Sequence, residues 1–155
     1  MRVGASRIGC WNCKPRGSAK GLFVHGGKQS IPMDYNNVRA PFYSEATREF
    51  APAQDWTARG ADTPALYVRG AASNKAARLY VALEDASKKA ASATHPDAAL
   101  VSTAKWTEWE IPLSSLTGVN PAKIKKLYLG VGDKKAPVAG GAERIHIDDI
   151  RVTKP

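Results

Sequence analysis

Leu79-Tyr80-Val81-Ala82-Leu83-Glu84-Asp85 is the stretch that decides the fold. In an extended backbone successive side chains point to opposite faces, so Leu79, Val81 and Leu83 share one side while Tyr80, Ala82 and Glu84 share the other. This is the pattern of a strand that lies on an apolar core. It recurs in Leu66-Tyr67-Val68-Arg69, where Leu66 and Val68 oppose Tyr67 and Arg69. It recurs again at 127–132, where Leu127, Leu129 and Val131 oppose Tyr128, Gly130 and Gly132. Outward from these, short alternating runs separated by Gly, Pro, Asn and Asp clusters predict strands at 22–25, 29–35, 43–50, 65–69, 78–85, 90–94, 107–113, 125–131 and 144–152. Two helical turns are expected, at 113–116 and at 120–123, the second with Asn120 as cap and Pro121 in the first helical position. Segments 71–77 and 136–141 read as exposed small-residue loops. Many short strands with turns between them predict an all-β, two-sheet antiparallel β-sandwich of jelly-roll type over residues 21–155.

The 155 residues suffice for one domain with a real core. No run approaches the roughly 18 consecutive apolar residues of a membrane-spanning helix, so no membrane insertion is expected. The net charge of +9 is unevenly placed. Residues 1–20 hold Arg2, Arg7, Lys14, Arg16 and Lys20 with no acid, whereas the remaining chain is only mildly basic. A nucleic-acid partner is therefore not expected, because the basic character rests on a short leader. That leader lacks strand alternation and reads as disordered or as a misassigned start. It also lacks the apolar segment of a secretory signal, which leaves a cytoplasmic protein or a piece of an exported chain. Cys10 and Cys13 sit within it. Pro15 and Gly17 argue against the helix a redox pair wants, and no second pair completes a four-ligand zinc site. Incidental cysteines are expected.

If the three tyrosine strands lie side by side, Tyr67, Tyr80 and Tyr128 form a shallow platform floored by Ala82 and Gly130 and edged by Arg69 and Glu84. Such a surface suits a pyranose ring, whose C–H face stacks on aromatics and whose hydroxyls seek Arg and Glu. The residues leave a second reading open, in which the tyrosines cover another layer of packing. Trp109 shares parity with Ile111 and Leu113 and is expected in the core; Trp56 and Trp106 sit at strand entrances. The segment 34–37, Asp-Tyr-Asn-Asn, reads as a turn.

The segment His25-Gly26-Gly27-Lys28-Gln29-Ser30-Ile31-Pro32-Met33-Asp34-Tyr35-Asn36-Asn37, with Gln54-Asp55-Trp56-Thr57, the 79–85 strand, the 106–113 strand and the closing Ile145-His146-Ile147-Asp148-Asp149-Ile150-Arg151-Val152, resembles carbohydrate-binding modules of the galactose-binding-like jelly-roll superfamily. The resemblance spans about 22–153 and is found in secreted, polysaccharide-associated bacterial proteins. It implies a non-catalytic module, secreted or at the cell surface and often part of a larger multidomain chain, that binds a poly- or oligosaccharide. It further implies a structural calcium (Ca) on Asp148 or Asp149. The sequence bears on that point, because Ile145 and Ile147 have the opposite parity to Ile150 and Val152, so a bulge is expected at the Asp pair. A carboxylate turned inward there needs a cation or backbone donors. Relatives begin with strands before the His-Gly-Gly segment; residues 1–20 do not look like them, and an open sheet edge would follow.

Catalysis is not expected. Glycosidase work needs two carboxyls facing across a cleft. Glu108 and Glu110 share a solvated strand face, and adjacent pairs such as Asp148-Asp149 diverge to opposite faces unless a bulge intervenes. No nucleophile elbow, zinc-protease helix or phosphate-binding loop occurs. The alternative to sugar binding is a protein-interaction or structural module; an open cleft over the tyrosines would favour sugar, a flat filled face protein contact.

Overall fold

The computed structural model describes residues 9–11, 13–14, 19–20, 25–26 and 29–154, with backbone alone for residues 9–20 and for Gln29. The described residues form eleven strands: β1 (Gly9–Trp11), β2 (Cys13–Lys14), β3 (Ala19–Lys20), β4 (Gln29–Asn36), β5 (Ser44–Gln54), β6 (Thr63–Arg69), β7 (Leu79–Asp85), β8 (Ala90–Thr94), β9 (Thr107–Glu110), β10 (Ile124–Val131) and β11 (Ala142–Thr153). They form two sheets. The first has the order β1-β5-β10-β7-β8; the second has the order β2-β4-β11-β6-β9, with β3 paired to β4. Every pairing described is antiparallel. The chain is an all-β sandwich, as its alternation predicts.

The apolar parities meet between the sheets. Leu127, Leu129 and Val131 pair with Leu83, Val81 and Leu79 in the first sheet. Ile145 pairs with Met33, Ile147 with Val68 and Leu66 with Trp109 in the second. All twelve are buried. Each such side chain contributes roughly 1.5–3 kcal/mol by leaving water, and truncating Leu129 to Ala would cost about 2–5 kcal/mol. Trp109 lies in the core with its ring edge-on to His95 at 5.2 Å. Trp56 is more deeply buried still, while Trp106 remains half-buried.

Several boundaries differ from expectation for local reasons. The strand expected over 107–113 ends at Glu110, since Pro112 has no N–H to offer a ladder. The segment 34–37 is not a turn: β4 runs through Asn36, and the turn follows it. Buried Asn37 closes the strand end by donating to the Val131 carbonyl at 2.9 Å and accepting from Ser44 Oγ at 2.8 Å. A 3₁₀ turn at Ala98–Ser102 was not foreseen; Asp97 caps it through the Ala99 N–H. The turn at Pro121–Lys123 forms as expected, with the Asn120 side chain accepting from Ala122 N. The strand expected at 22–25 lies, His25 apart, outside the described residues.

The leader is the largest correction to the strand assignment. Residues without alternation still pair: β1 lies on β5, and β2 and β3 lie on β4. β1 is an edge strand of the first sheet and β2 an edge strand of the second. The side chains of Cys10 and Cys13 lie outside the described residues.

The bulge expected in the closing strand is present. β11 pairs Asp148 with Tyr67 and then Arg151 with Ala65, so it carries one extra residue. Asp149 takes a left-handed φ of 47°, a conformation that aspartate tolerates better than most residues. The slip brings Ile147 and Ile150 to the same buried side.

Candidate functional site

The structure divides the expected platform between two sheets. Tyr80 and Glu84 on β7 and Tyr128 on β10 lie on the outer face of the first sheet. Tyr67 and Arg69 lie on β6, in the second. Period-2 alternation predicts each face correctly; it does not say which strands become neighbours.

The outer face of the first sheet is built from cross-strand rows. Tyr128 stands between Thr47 and Ala82, Gly130 between Glu45 and Tyr80, and Lys126 between Glu49 and Glu84. Ser92 and Thr94 of β8 continue the rows beyond Ala82 and Tyr80. Gly130 is what allows Tyr80 to lie down: a Cβ there would stand 2.0 Å from the Tyr80 Cζ. The ring therefore crosses β10 and donates its hydroxyl to Glu45 Oε2 on β5 at 2.7 Å. Burial and the neighbouring Glu45 push the Tyr80 phenol well above the usual tyrosine range. At 6% exposure Tyr80 forms the floor and leaves no ring face free for stacking.

Tyr128 is the more exposed partner. It donates in the opposite direction, to Glu84 Oε2 on β7 at 2.9 Å, and its phenol is pushed up to about 12, first by partial burial and then by Glu84. Lys126 Nζ lies 3.5 Å from the other Glu84 oxygen. Beyond β10, Gly132 turns the chain with a φ of 113°; a Cβ there would meet Tyr43 and the Phe42 carbonyl at 2.8–3.0 Å. That turn presents Lys134, whose Nζ lies 3.2 Å and 3.3 Å from the two Glu45 oxygens. The same ammonium is 5.6 Å from the Tyr43 ring and 5.9 Å from the Tyr128 ring. A cleft of about 780 Å³ lies over this surface, with Tyr80, Tyr128 and Ala82 below and Lys134, Ser115 and Thr117 among the residues around it.

Tyr67 sits in a different setting. The His25 ring stacks on it, with centroids 3.5 Å apart and planes at 15°. The Arg151 guanidinium lies 5.2 Å from its centroid, and its hydroxyl donates to Glu108 at 3.1 Å. Arg151 is also ion-paired with Glu108. Tyr67 is thus a covered ring, and Trp106 approaches His25 edge-on at 5.8 Å beside it. Arg69 takes the register position opposite His146 on this sheet, away from the cleft.

The surroundings of Asp148 and Asp149 are those of hydrogen-bonded carboxylates. Asp148 Oδ2 accepts the N–H groups of His25 at 2.9 Å and Gly26 at 3.1 Å, and Oδ1 accepts the Asp149 N–H at 2.7 Å. Asp149 Oδ2 lies 2.7 Å from His25 Nδ1. These groups present protons to the carboxylates, and among the described residues no group of three or more His, Cys, Asp or Glu gathers that could hold a metal ion. Of the paired carboxylates, Glu84 faces the cleft while Asp85 turns away; Asp85 accepts from Ser87, Lys89 and Asn120 backbone N–H groups, which hold it below the usual carboxylate range.

Sequence reasoning missed Glu45, Lys134, Ser92 and Thr94. Glu45 was legible in principle, since it shares a parity with Thr47 and Glu49 on a strand long enough to cross the sheet. Lys134 was not, because only the turn after β10 carries it inward.

Two antiparallel sheets, one with an open trough on its outer face, give this chain the fold seen in jelly-roll carbohydrate-binding modules. No family model and no curated protein matches the sequence. Solved structures do match. A family 11 carbohydrate-binding module of a cellulosomal cellulase of Clostridium thermocellum superposes with a TM-score of 0.63 at 11% identity, over 98% of this chain and 90% of that one. A family 30 module does so with a TM-score of 0.66 at 11% identity, over 92% and 77%. An exo-β-agarase matches with a TM-score of 0.75 at 12% identity, over 100% of this chain. The chain spans 24% of the length of that agarase and of a second agarase.

Proposed function

We propose that this chain is a non-catalytic carbohydrate-binding module that takes a poly- or oligosaccharide in the cleft over β5, β10, β7 and β8. The observation that carries this reading is the open cleft above Tyr128, a half-exposed ring held by Glu84 on a floor made by Tyr80. An aromatic ring fixed by its own hydroxyl is a preorganised stacking surface, so a sugar ring meets it with little loss of side-chain freedom. Glu84, Lys134 and the hydroxyls of Ser92, Thr94, Ser115 and Thr117 are the polar groups within reach of sugar hydroxyls. Tyr67 and Arg69, on the other sheet, take no part, and Tyr80 acts from beneath.

The likeness to the two module families supports sugar binding; one family 11 structure holds a β-1,3-1,4-mixed-linked tetrasaccharide. The likeness to a quarter of each agarase supports a module that serves a larger chain, working outside the cell where its polysaccharide lies. Asp148 and Asp149 lie on the other sheet, so sugar binding in this cleft does not depend on a calcium there.

The test is titration calorimetry with agarose and mixed-linkage β-glucan oligosaccharides, on the chain and on Tyr128→Ala. Binding weakened about tenfold in Tyr128→Ala, in a variant that keeps its melting temperature to within a few degrees, supports the site. A glycan bound equally by both would remove it from this cleft.

A further inference from the structure

The cleft combines two features that do not follow from one another. The protein is strongly basic, with a formal charge of +9, yet the cleft is balanced. The cations around it are Arg78, Lys134 and Lys135, and the anions are Glu45, Glu84 and Asp133. The two glutamates stand within it. Glu45 is buried, accepts from Tyr80 and faces the Lys134 ammonium through both oxygens. Glu84 accepts from Tyr128, the ring proposed to stack, and faces Lys126. Asp133 lies 3.9 Å from Arg78 and accepts the N–H groups of Lys135 and Ala136, which keep it below the usual carboxylate range.

We infer that Glu45 and Glu84 are the charge-selectivity residues of this cleft, admitting an uncharged polysaccharide and excluding a sulfated or uronic one. The inference rests on the cleft being the sugar site. A sulfate or carboxylate on a ring stacked over Tyr128 would come close to the Glu84 carboxylate, and like charges at short range in a partly desolvated site repel strongly. Lys134 and Lys126 face the two glutamates and Arg78 lies 3.9 Å from Asp133, so recruiting any of the three to an anionic sugar would draw it away from a carboxylate; Lys135 also lines the cleft. Hydroxyl groups meet no such obstacle, since Glu84 and Lys134 retain acceptor and donor capacity toward them.

The inference is tested with the agarose and mixed-linkage β-glucan oligosaccharides and with chemically sulfated derivatives of the same two, in which charged sulfate esters replace hydroxyls and the double variant below separates charge from bulk. The intact chain should prefer the uncharged form of whichever it binds by at least tenfold, with an affinity that changes less than twofold between 50 and 300 mM salt. In Glu45→Gln/Glu84→Gln that preference should fall severalfold, and the sulfated form should bind with a marked salt dependence. The measurements on the intact chain stand alone should the double variant fail to fold. A sulfated derivative bound as tightly as its parent by the intact chain would overturn the inference and leave the sugar site in place. An unchanged preference in a folded double variant would also overturn it. No binding of any of the four would remove the sugar site itself.

Discussion

The outer faces of the two sheets carry the same local device and use it differently. On the first, Tyr128 donates to Glu84 across a strand pair and a lysine stands near its ring. On the second, Tyr67 donates to Glu108 across a strand pair and an arginine stands near its ring. Both tyrosines lie between two aliphatic residues in sequence. What separates them is His25, which comes from a segment far away in the chain and covers one ring at 3.5 Å. A tyrosine in a sheet is thus a platform or a packing element according to whether another segment reaches it. Asp148 holds that segment down through two backbone N–H groups, so the covered face depends on the bulge, while the open face depends on Gly130 beneath it.

This contrast can be broken from either side. Gly130→Val should have the largest effect. A Cβ at that site cannot coexist with the Tyr80 ring, so the floor must rearrange at a cost of roughly 2–3 kcal/mol, visible in urea denaturation, and glycan binding should disappear. A stable variant with normal binding would show that Tyr80 is not the floor. Asp148→Ala should cost about 2 kcal/mol, since three N–H groups lose a charged acceptor, with glycan affinity retained. Chelator should leave the melting temperature of the intact chain unchanged; a clear fall would instead place a cation on the Asp pair.

The comparison sharpens when the tyrosines are removed singly. Tyr128→Ala should lower glycan affinity about tenfold, near 1.4 kcal/mol, with little loss of stability. Tyr67→Ala should do the reverse, leaving affinity within twofold while costing about 1 kcal/mol through its lost aromatic contact. If the two variants behaved alike, the distinction between open and covered rings would fail. The smallest expected effect is one of pH. Burial, with Arg144 and Arg69 nearby, lowers the pKa of His146 on the second sheet. Its folded pKa lies below its unfolded value, so the unfolded chain takes up the proton first and stability is lost as pH falls below about 6.5. The urea midpoint should decline between pH 7 and pH 5, and His146→Gln should flatten that decline.

The sequence made the faces legible and left the neighbours hidden. Leu79, Val81 and Leu83 point inward and Tyr80 and Glu84 outward because alternation is a property of one strand. Whether β6 lies beside β7 is a property of the whole chain, and Leu66-Tyr67-Val68 reads the same in either sheet. Signals of position survived: the Asn120 cap, the Trp109 parity and the parity break at Asp148-Asp149 each depend on a few adjacent residues. The strands of the leader did not, because two- and three-residue pairings contain too little pattern to read. Lys134 in the cleft and His25 over Tyr67 were equally out of reach, since loops that follow a turn or come from a distant segment deliver them.

The closing strand has a mechanical consequence. β11 lies between two partners, with Ala142–Ile147 bonded to β4 and His146–Thr153 bonded mainly to β6. Antiparallel hydrogen bonds run perpendicular to their strands, so a pull along β11 from beyond Thr153 strains many of them together in shear. The bulge divides that load, because the β6 ladder is interrupted between Asp148 and Arg151. A tether drawn taut at this end would meet resistance first from the bonds that follow the bulge, and the cleft on the opposite sheet would keep its shape until those had parted.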